Sequence, residues 1–231
     1  MSRCVVQRLR CPTCGVEQEE KVFVSVNGAR IKTAVQRITD GTWGEVSCLA
    51  CGQRYLADPP LLYSDLPGGI WLVRYPWERR GQFVELEAEA DRIFSREFFE
   101  RPPAVIREQA AAVRRRICFG REQFVEKLLA LRHGIDDRAL ECLKLGLSRD
   151  LVGQLFMHGP WEWVTVAINA QGIDLTAVTL ADQQPIHRTV VPMDAVRHLE
   201  EDLRQYEVLF PELFGHLYVN ASRYGMEEAP A

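Results

Sequence analysis

The pattern of apolar and polar positions changes along the chain. Up to about residue 80 the apolar residues come in short β-branched or aromatic runs broken by Gly and Pro. Val22-Phe23-Val24-Ser25-Val26 predicts a strand ending at the turn signal Asn27-Gly28. Ile31 to Asp40 predicts a short helix stopped near Gly41. Trp43 to Cys48, Arg54 to Ala57 and Ile70 to Tyr75 predict short strands. Pro59-Pro60 interrupts before Leu61-Leu62-Tyr63, and Pro67-Gly68-Gly69 marks a turn.

From about 84 to 147 the pattern turns helical. Ile93, Phe94, Phe98 and Phe99 share a helical face, which ends before Pro102-Pro103. Val84, Leu86, Ala88 and Ala90 alternate with Glu85, Glu87 and Glu89, a period of two that lets this stretch start as a strand. Arg121 to Arg132 carries Phe124, Val125, Leu128, Leu129 and Leu131, an amphipathic helix. Gly134-Ile135 reads as a Schellman terminus, and Asp136 or Asp137 caps a second helix with Leu140, Leu143 and Leu147 inward. The last third returns to β. Trp161 to Ile168 and Ile173 to Leu180 flank the hairpin-like Asn169-Ala170-Gln171-Gly172. His187 to Val191, closed by Pro192, predicts a third strand, and Asp194 caps a helix to about Tyr206 with Val196, Leu199 and Leu203 inward. The expected fold class is α+β, with a β-rich module over residues 1–80, a helical segment over 84–148 and a small α+β unit over 158–222. No internal repeat is present, and only the tail Glu227 to Ala231 reads as disordered.

Composition narrows the function classes. Hydrophobic content of 47% and charged content of 26% are those of a globular chain. No apolar run approaches the roughly 18–20 residues of a membrane span, so no membrane partner is expected. Arg3, Arg8 and Arg10 are not followed by an apolar stretch, which argues against a signal peptide and for the cytoplasm. The net charge of −4 weighs against a surface built as a whole for nucleic acid.

Of the seven cysteines, four form two like-patterned pairs, Cys11-Pro12-Thr13-Cys14-Gly15 and Cys48-Leu49-Ala50-Cys51-Gly52. Two intervening residues let a tight turn aim both sulfurs at one ion, and the following Gly permits a positive φ, so the chain can fold back. Two such knuckles supply the closed tetrahedral sulfur set of a structural zinc site. The interval from Gly15 to Ser47 exceeds the usual span of about 15–20 residues between such pairs, which a β excursion or short helix fills. Two alternatives stand beside zinc: unrelated pairs of buried thiols, and a redox motif. The redox reading lacks the strand-to-helix context that such motifs use. Cys4, Cys118 and Cys142 stand alone and default to small buried hydrophobes.

The first pair, the second C-x-x-C and the following Leu61-Leu62-Tyr63-Ser64-Asp65 together resemble the bacterial CpXC domain over about residues 8–75. The resemblance implies a zinc ribbon-like module and no particular reaction. Leu49 departs from the family's proline, which bears on turn stiffness rather than on ligation.

Other candidates are weaker. His133, His158, His187, His198 and His216 form no HExxH or His-x-His pattern, and His133 suits a helix C-terminus. Glu85, Glu87 and Glu89 share a face only in an extended segment. Arg114-Arg115-Arg116 and Arg121, read as helical, point in different directions. Trp161-Glu162-Trp163 is expected to place one ring in the core and one on the surface. No phosphate loop, Rossmann fingerprint or G-x-S-x-G occurs, and no catalytic residue is assigned. The expected function is a non-catalytic, zinc-stabilised protein-interaction or adaptor module. The alternative is nucleic-acid contact through the zinc module and the Arg114–Arg121 cluster.

Overall fold

The computed structural model describes residues 2–100 and 102–226; the tail Glu227 to Ala231 lies outside them. The chain divides into two compact units, Met1–Arg121 and Glu122–Ala231. The architecture is α+β, with a strand-rich N-terminal region, central helices and a C-terminal sheet.

In the first unit, strands β1 (Arg3–Arg10) and β2 (Glu17–Asn27) form a long antiparallel hairpin whose turn is the first cysteine knuckle. A short helix α1 (Ala34–Thr39) precedes a small second hairpin, β3 (Glu45–Ser47) and β4 (Arg54–Leu56), whose turn is the second knuckle. The chain then re-enters the main sheet as β5 (Leu61–Asp65) and β6 (Ile70–Tyr75). Helices α2 (Phe83–Ser95) and α3 (Ala104–Ala111) lead to β7 (Arg114–Phe119). The sheet order is β1-β2-β5-β6-β7, with β2–β5 and β6–β7 parallel. Every residue of β6 is buried, as the continuous apolar run Ile70-Trp71-Leu72-Val73 requires of a strand covered on both faces. Val22 of β2 packs with Val46 and Ala57 from around the small hairpin, and Val5, Leu9 and Tyr55 close around them.

Two local expectations are corrected here. Residues 84 to 90 are helical, not extended. Phe83, Leu86, Ala90 and Phe94 are buried at helical spacing and Val84 is exposed, because Leu, Ala and Glu favour the helix and its stripe docks Phe94 against Trp71. Glu85 and Glu89, four residues apart, lie on one side of this helix and Glu87 is buried away from them, so the three do not share a face. Arg114-Arg115-Arg116 is a strand, not part of a helix. Ile117, Cys118 and Phe119 are fully buried where β7 pairs with β6, and the pairing carries the arginines with them. Because β7 closes onto β6, residues 84–119 belong with the first sheet, and the break falls near 121 rather than near 80–85. The second expected break, near 148–160, is crossed by the next helical hairpin.

That hairpin, α4 (Gly120–Arg132) and α5 (Asp137–Leu155), has the connection expected. The Ile135 amide donates to the Ala130 carbonyl and that of Gly134 to Leu131, which is the Schellman pattern. Asp136 caps α5 by accepting from the Arg138 amide. Strands β8 (Trp161–Asn169), β9 (Gly172–Thr179) and β10 (Pro185–Pro192) form an antiparallel sheet with β9 in the centre. Short helices follow: α6 (Met193–Glu201), α7 (Leu203–Leu209), α8 (Pro211–Gly215) and α9 (Arg223–Met226). The helix expected from Asp194 to Tyr206 is thus broken at Asp202, and Asp194 lies inside its first turn. Trp161 and Trp163 both reach the core made by Leu140, Ile173, Leu175 and Val196, their rings edge-on at 5.8 Å. Residues two apart on a strand share a face, so the expected split of one ring inside and one outside does not occur.

Between α4 and α5 lies a buried group of five charges. Lys127 Nζ is 2.8 Å from Glu141 Oε1 and 3.5 Å from Asp137 Oδ2. Lys144 Nζ is 2.5 Å from Glu126 Oε1 and 3.3 Å from Glu141 Oε1. The remaining carboxylate oxygens accept backbone amides, Glu126 from Thr165 at 3.1 Å and Glu141 from Ala221 at 2.9 Å. Burial alone would raise the Glu141 carboxyl, but Lys127 and Lys144 together hold it down to about 2. Glu126 moves up instead, because burial outweighs its single close lysine and Glu141 adds repulsion. Charge counting requires such a split, since three carboxyls face two ammonium groups.

No helix among the described residues is long and apolar enough to cross a membrane.

Candidate metal centre

The two knuckles are built alike. In the first, the Cys11 amide donates to the Val16 carbonyl and the Gly15 amide to the Cys11 carbonyl; in the second, Cys48 donates to Gln53 and Gly52 to Cys48. Gly15 and Gly52 each have φ +73°, a conformation that a side chain would strain. The repeated C-x-x-C-G text therefore produces one turn twice.

The β2 and β3 strands bring these turns together. The four Sγ atoms of Cys11, Cys14, Cys48 and Cys51 all lie within 4.8 Å of one another. Cys11 Sγ is 3.8 Å from Cys51 Sγ, and Cys14 Sγ is 3.6 Å from Cys48 Sγ. A tetrahedron with metal–sulfur bonds of about 2.3 Å has edges of about 3.8 Å. The donor set and its size therefore fit a single metal ion, and among the described residues no other cluster of His, Cys, Asp and Glu does so. Cys11 and Cys48 are buried, whereas Cys14 and Cys51 face solvent.

The electrostatics point the same way. The Cys14 amide, helped by that of Thr13, brings the Cys11 thiol down to about 6. The Cys51 and Ala50 amides lower Cys48 in the same manner. Cys14 is favoured by the Val16 amide, yet loss of water and the surrounding sulfurs push it up to about 12. The turns thus prepare negative charge on the buried sulfurs, and a central cation supplies what Cys14 needs to ionise as well.

Gln18 was not singled out from sequence, and it braces the site. Its amide nitrogen donates to the Ser47 carbonyl at 3.0 Å, and its oxygen accepts from the Leu49 amide at 2.8 Å. It thereby ties β2 to both sides of Cys48. A signal existed: Gln18 is in phase with Val22 and Val26, both buried, so a polar residue sits on an inward position. Replacing Gln18 with Ala is expected to weaken metal binding about 10–100-fold, as loss of outer-shell partners does elsewhere. Competition against a chelator of known affinity measures this.

The remaining cysteines stay outside the cluster. Cys118 donates to the Val73 carbonyl at 3.6 Å, burial pushes Cys142 up to about 12, and Cys4 lies on β1 opposite Phe23. Three of the arginines are engaged within the fold. Arg115 pairs with Asp91 and lies over the Phe94 ring, Arg116 is buried, and Arg121 donates to the Ile38 carbonyl.

No curated protein and no solved structure matches the chain. The model of the CpXC protein family matches residues 9–144, which carries the likeness past both knuckles, through β7 and α4 and into α5. With more than half of its length matched and both cysteine pairs inside the match, the chain belongs to the CpXC family.

Proposed function

We propose that the chain is a zinc-stabilised binding module that presents its ribbon to a protein partner and performs no chemistry at the metal. The observation that carries this reading is the closed sulfur shell. Four thiolates complete the tetrahedral coordination of zinc and leave no position for a catalytic water. Zinc suits four thiolates better than harder divalent ions do. Thiol ligands also suit a reducing compartment such as the cytoplasm.

The contact surface includes the tip of the second knuckle. Leu49, which stands where the family has proline, is 83% exposed while its backbone is held by Gln18. An apolar residue on a rigid, metal-fixed turn can bury area in a partner at little entropic cost. The metal reading is tested by elemental analysis of the purified protein, with one zinc per chain expected. The partner reading is tested by affinity capture with wild type and Leu49→Asp, which leaves the metal shell untouched. Proteins retained at high salt by wild type and lost by the variant support it. Binding to DNA or RNA that falls steeply with salt replaces it by phosphate contact. That alternative is less favoured, because along the strand Arg115 faces away from Arg114 and Arg116.

A further inference from the structure

We propose that the four cysteines are also a peroxide-responsive site, at which oxidation expels the ion and leaves two disulfides between the knuckles, Cys11–Cys51 and Cys14–Cys48. This inference rests on the metal reading above and extends it to what the thiolates do when an oxidant arrives.

The geometry supplies the parts. Each of these sulfur pairs joins an exposed cysteine on one knuckle to a buried one on the other. Hydrogen peroxide reaches Cys14 and Cys51 from solvent, and the buried partner is already in place to resolve the product. A disulfide is about 2.04 Å long, so closing contacts of 3.8 and 3.6 Å needs sulfur movements of less than about 2 Å. The sulfur contacts of 3.8 and 3.6 Å both run between the knuckles, so proximity favours the crossed pairing.

The chemistry balances without any metal redox. The Cys14 thiolate attacks one peroxide oxygen, the O–O bond breaks, and a sulfenic acid and hydroxide form. The Cys48 thiolate then attacks Cys14 Sγ, the S–O bond breaks, and a second hydroxide leaves. With two protons from solvent, one peroxide and two thiolates give one disulfide and two waters. Cys51 and Cys11 repeat the sequence, so two peroxides are consumed per ion released, and zinc departs as the divalent cation it was.

Oxidation then replaces one clamp by another. The new bonds join residues 40 and 34 apart, close to the connections that the ion made. The ribbon keeps its fold while losing its metal, which separates this response from oxidative damage.

The experiment uses the full-length chain loaded with zinc, carrying Cys4→Ser, Cys118→Ala and Cys142→Ala to remove the other thiols. Hydrogen peroxide is titrated in, zinc release is followed with a chromogenic chelator, and bonds are mapped by tandem mass spectrometry, with fragmentation at Cys11-Pro12 separating Cys11 from Cys14. The expected result is complete release at two equivalents of peroxide, links Cys11–Cys51 and Cys14–Cys48, unchanged far-ultraviolet circular dichroism, and recovery with dithiothreitol and zinc. Links within the knuckles, sulfinic acids without disulfides, or zinc retained against excess peroxide overturn it. Protein purified without zinc that still forms the two cross links sinks the metal reading and keeps the pairing, so the two failures are told apart.

Discussion

On the metal reading proposed above, chelation is expected to cost amide protection first in the β3–β4 hairpin, then at the β1–β2 turn, with the three-stranded sheet of β8 to β10 unaffected. The order follows from what each piece has besides the ion. The β3–β4 hairpin has three paired positions, Glu45 with Leu56, Val46 with Tyr55 and Ser47 with Arg54, and its apolar contribution to the core is little more than Val46, Tyr55 and Ala57. An isolated two-stranded hairpin is marginal in water. The β1–β2 hairpin is longer, and β2 continues into the main sheet through β5. Structural zinc contributes on the order of 10 kcal/mol to small domains that depend on it, enough to decide whether so short a hairpin exists. Cys48→Ser is expected to reproduce the effect of chelation, because it removes a ligand and the sulfur that the Cys51 and Ala50 amides serve. Hydrogen exchange read by mass spectrometry, with and without chelator, is the measurement. Full protection of Glu45 to Leu56 after metal removal is the result that refutes it.

The second large effect belongs to the buried charges. Glu141→Ala is expected to cost about 3–5 kcal/mol, since it leaves Lys127 and Lys144 inside the fold without the carboxylate that both share. That is a large part of the roughly 5–15 kcal/mol that holds a domain together. Asp137→Asn is expected to cost less, because Asp137 meets Lys127 at 3.5 Å where Glu141 meets it at 2.8 Å. Denaturant unfolding of both variants gives the ranking, and equal losses contradict it. The pH dependence has a definite sign. The Glu141 carboxyl sits at about 2 in the fold, below its ordinary value near 4.5. Its contribution is therefore complete above pH 4.5 and is lost as pH falls toward 2. Glu126 has the opposite shift and opposes folding as pH rises past its ordinary range. Acid unfolding between pH 4.5 and 2 is expected to be shallower in Glu141→Gln than in wild type.

These two features differ in how far the sequence discloses them. The cysteine cluster is legible because thiolate ligation would impose a local text: C-x-x-C sets the bite, and the next glycine sets the return. Nothing distant is needed to read either knuckle, although their meeting depends on β2 and β3. The α4–α5 hairpin is legible for the same reason, its Schellman turn and Asp136 cap being local. The buried ions are not. Glu126, Lys127, Asp137, Glu141 and Lys144 look like the solvated side of two amphipathic helices, and only the Thr165 and Ala221 amides from other parts of the chain complete their surroundings. Arg114-Arg115-Arg116 fails likewise. Arginine favours helices in isolation, and what makes this segment a strand is the edge of β6, a partner 44 residues earlier in the sequence. Glu85, Glu87 and Glu89 mislead in a third way: alternation over a few residues also arises by chance within a helix, and the register of Phe83 and Phe94 decides.

The positions of these two polar assemblies along the chain also set an order of completion during synthesis. All four sulfurs are in the chain once residue 51 has been made, and they leave the ribosome ahead of everything that follows them. On the metal reading proposed above, the ligand set is therefore complete ahead of β5, β6 and the later helices in a chain that grows at about 5–20 residues per second. The charged group between α4 and α5 is different. Its ions are all translated by residue 144, yet the amide that satisfies Glu141 arrives only with Ala221. For that interval the second unit lacks part of its polar interior, so a chain cut shortly after residue 144 has all four sulfurs but not the amide that completes Glu141.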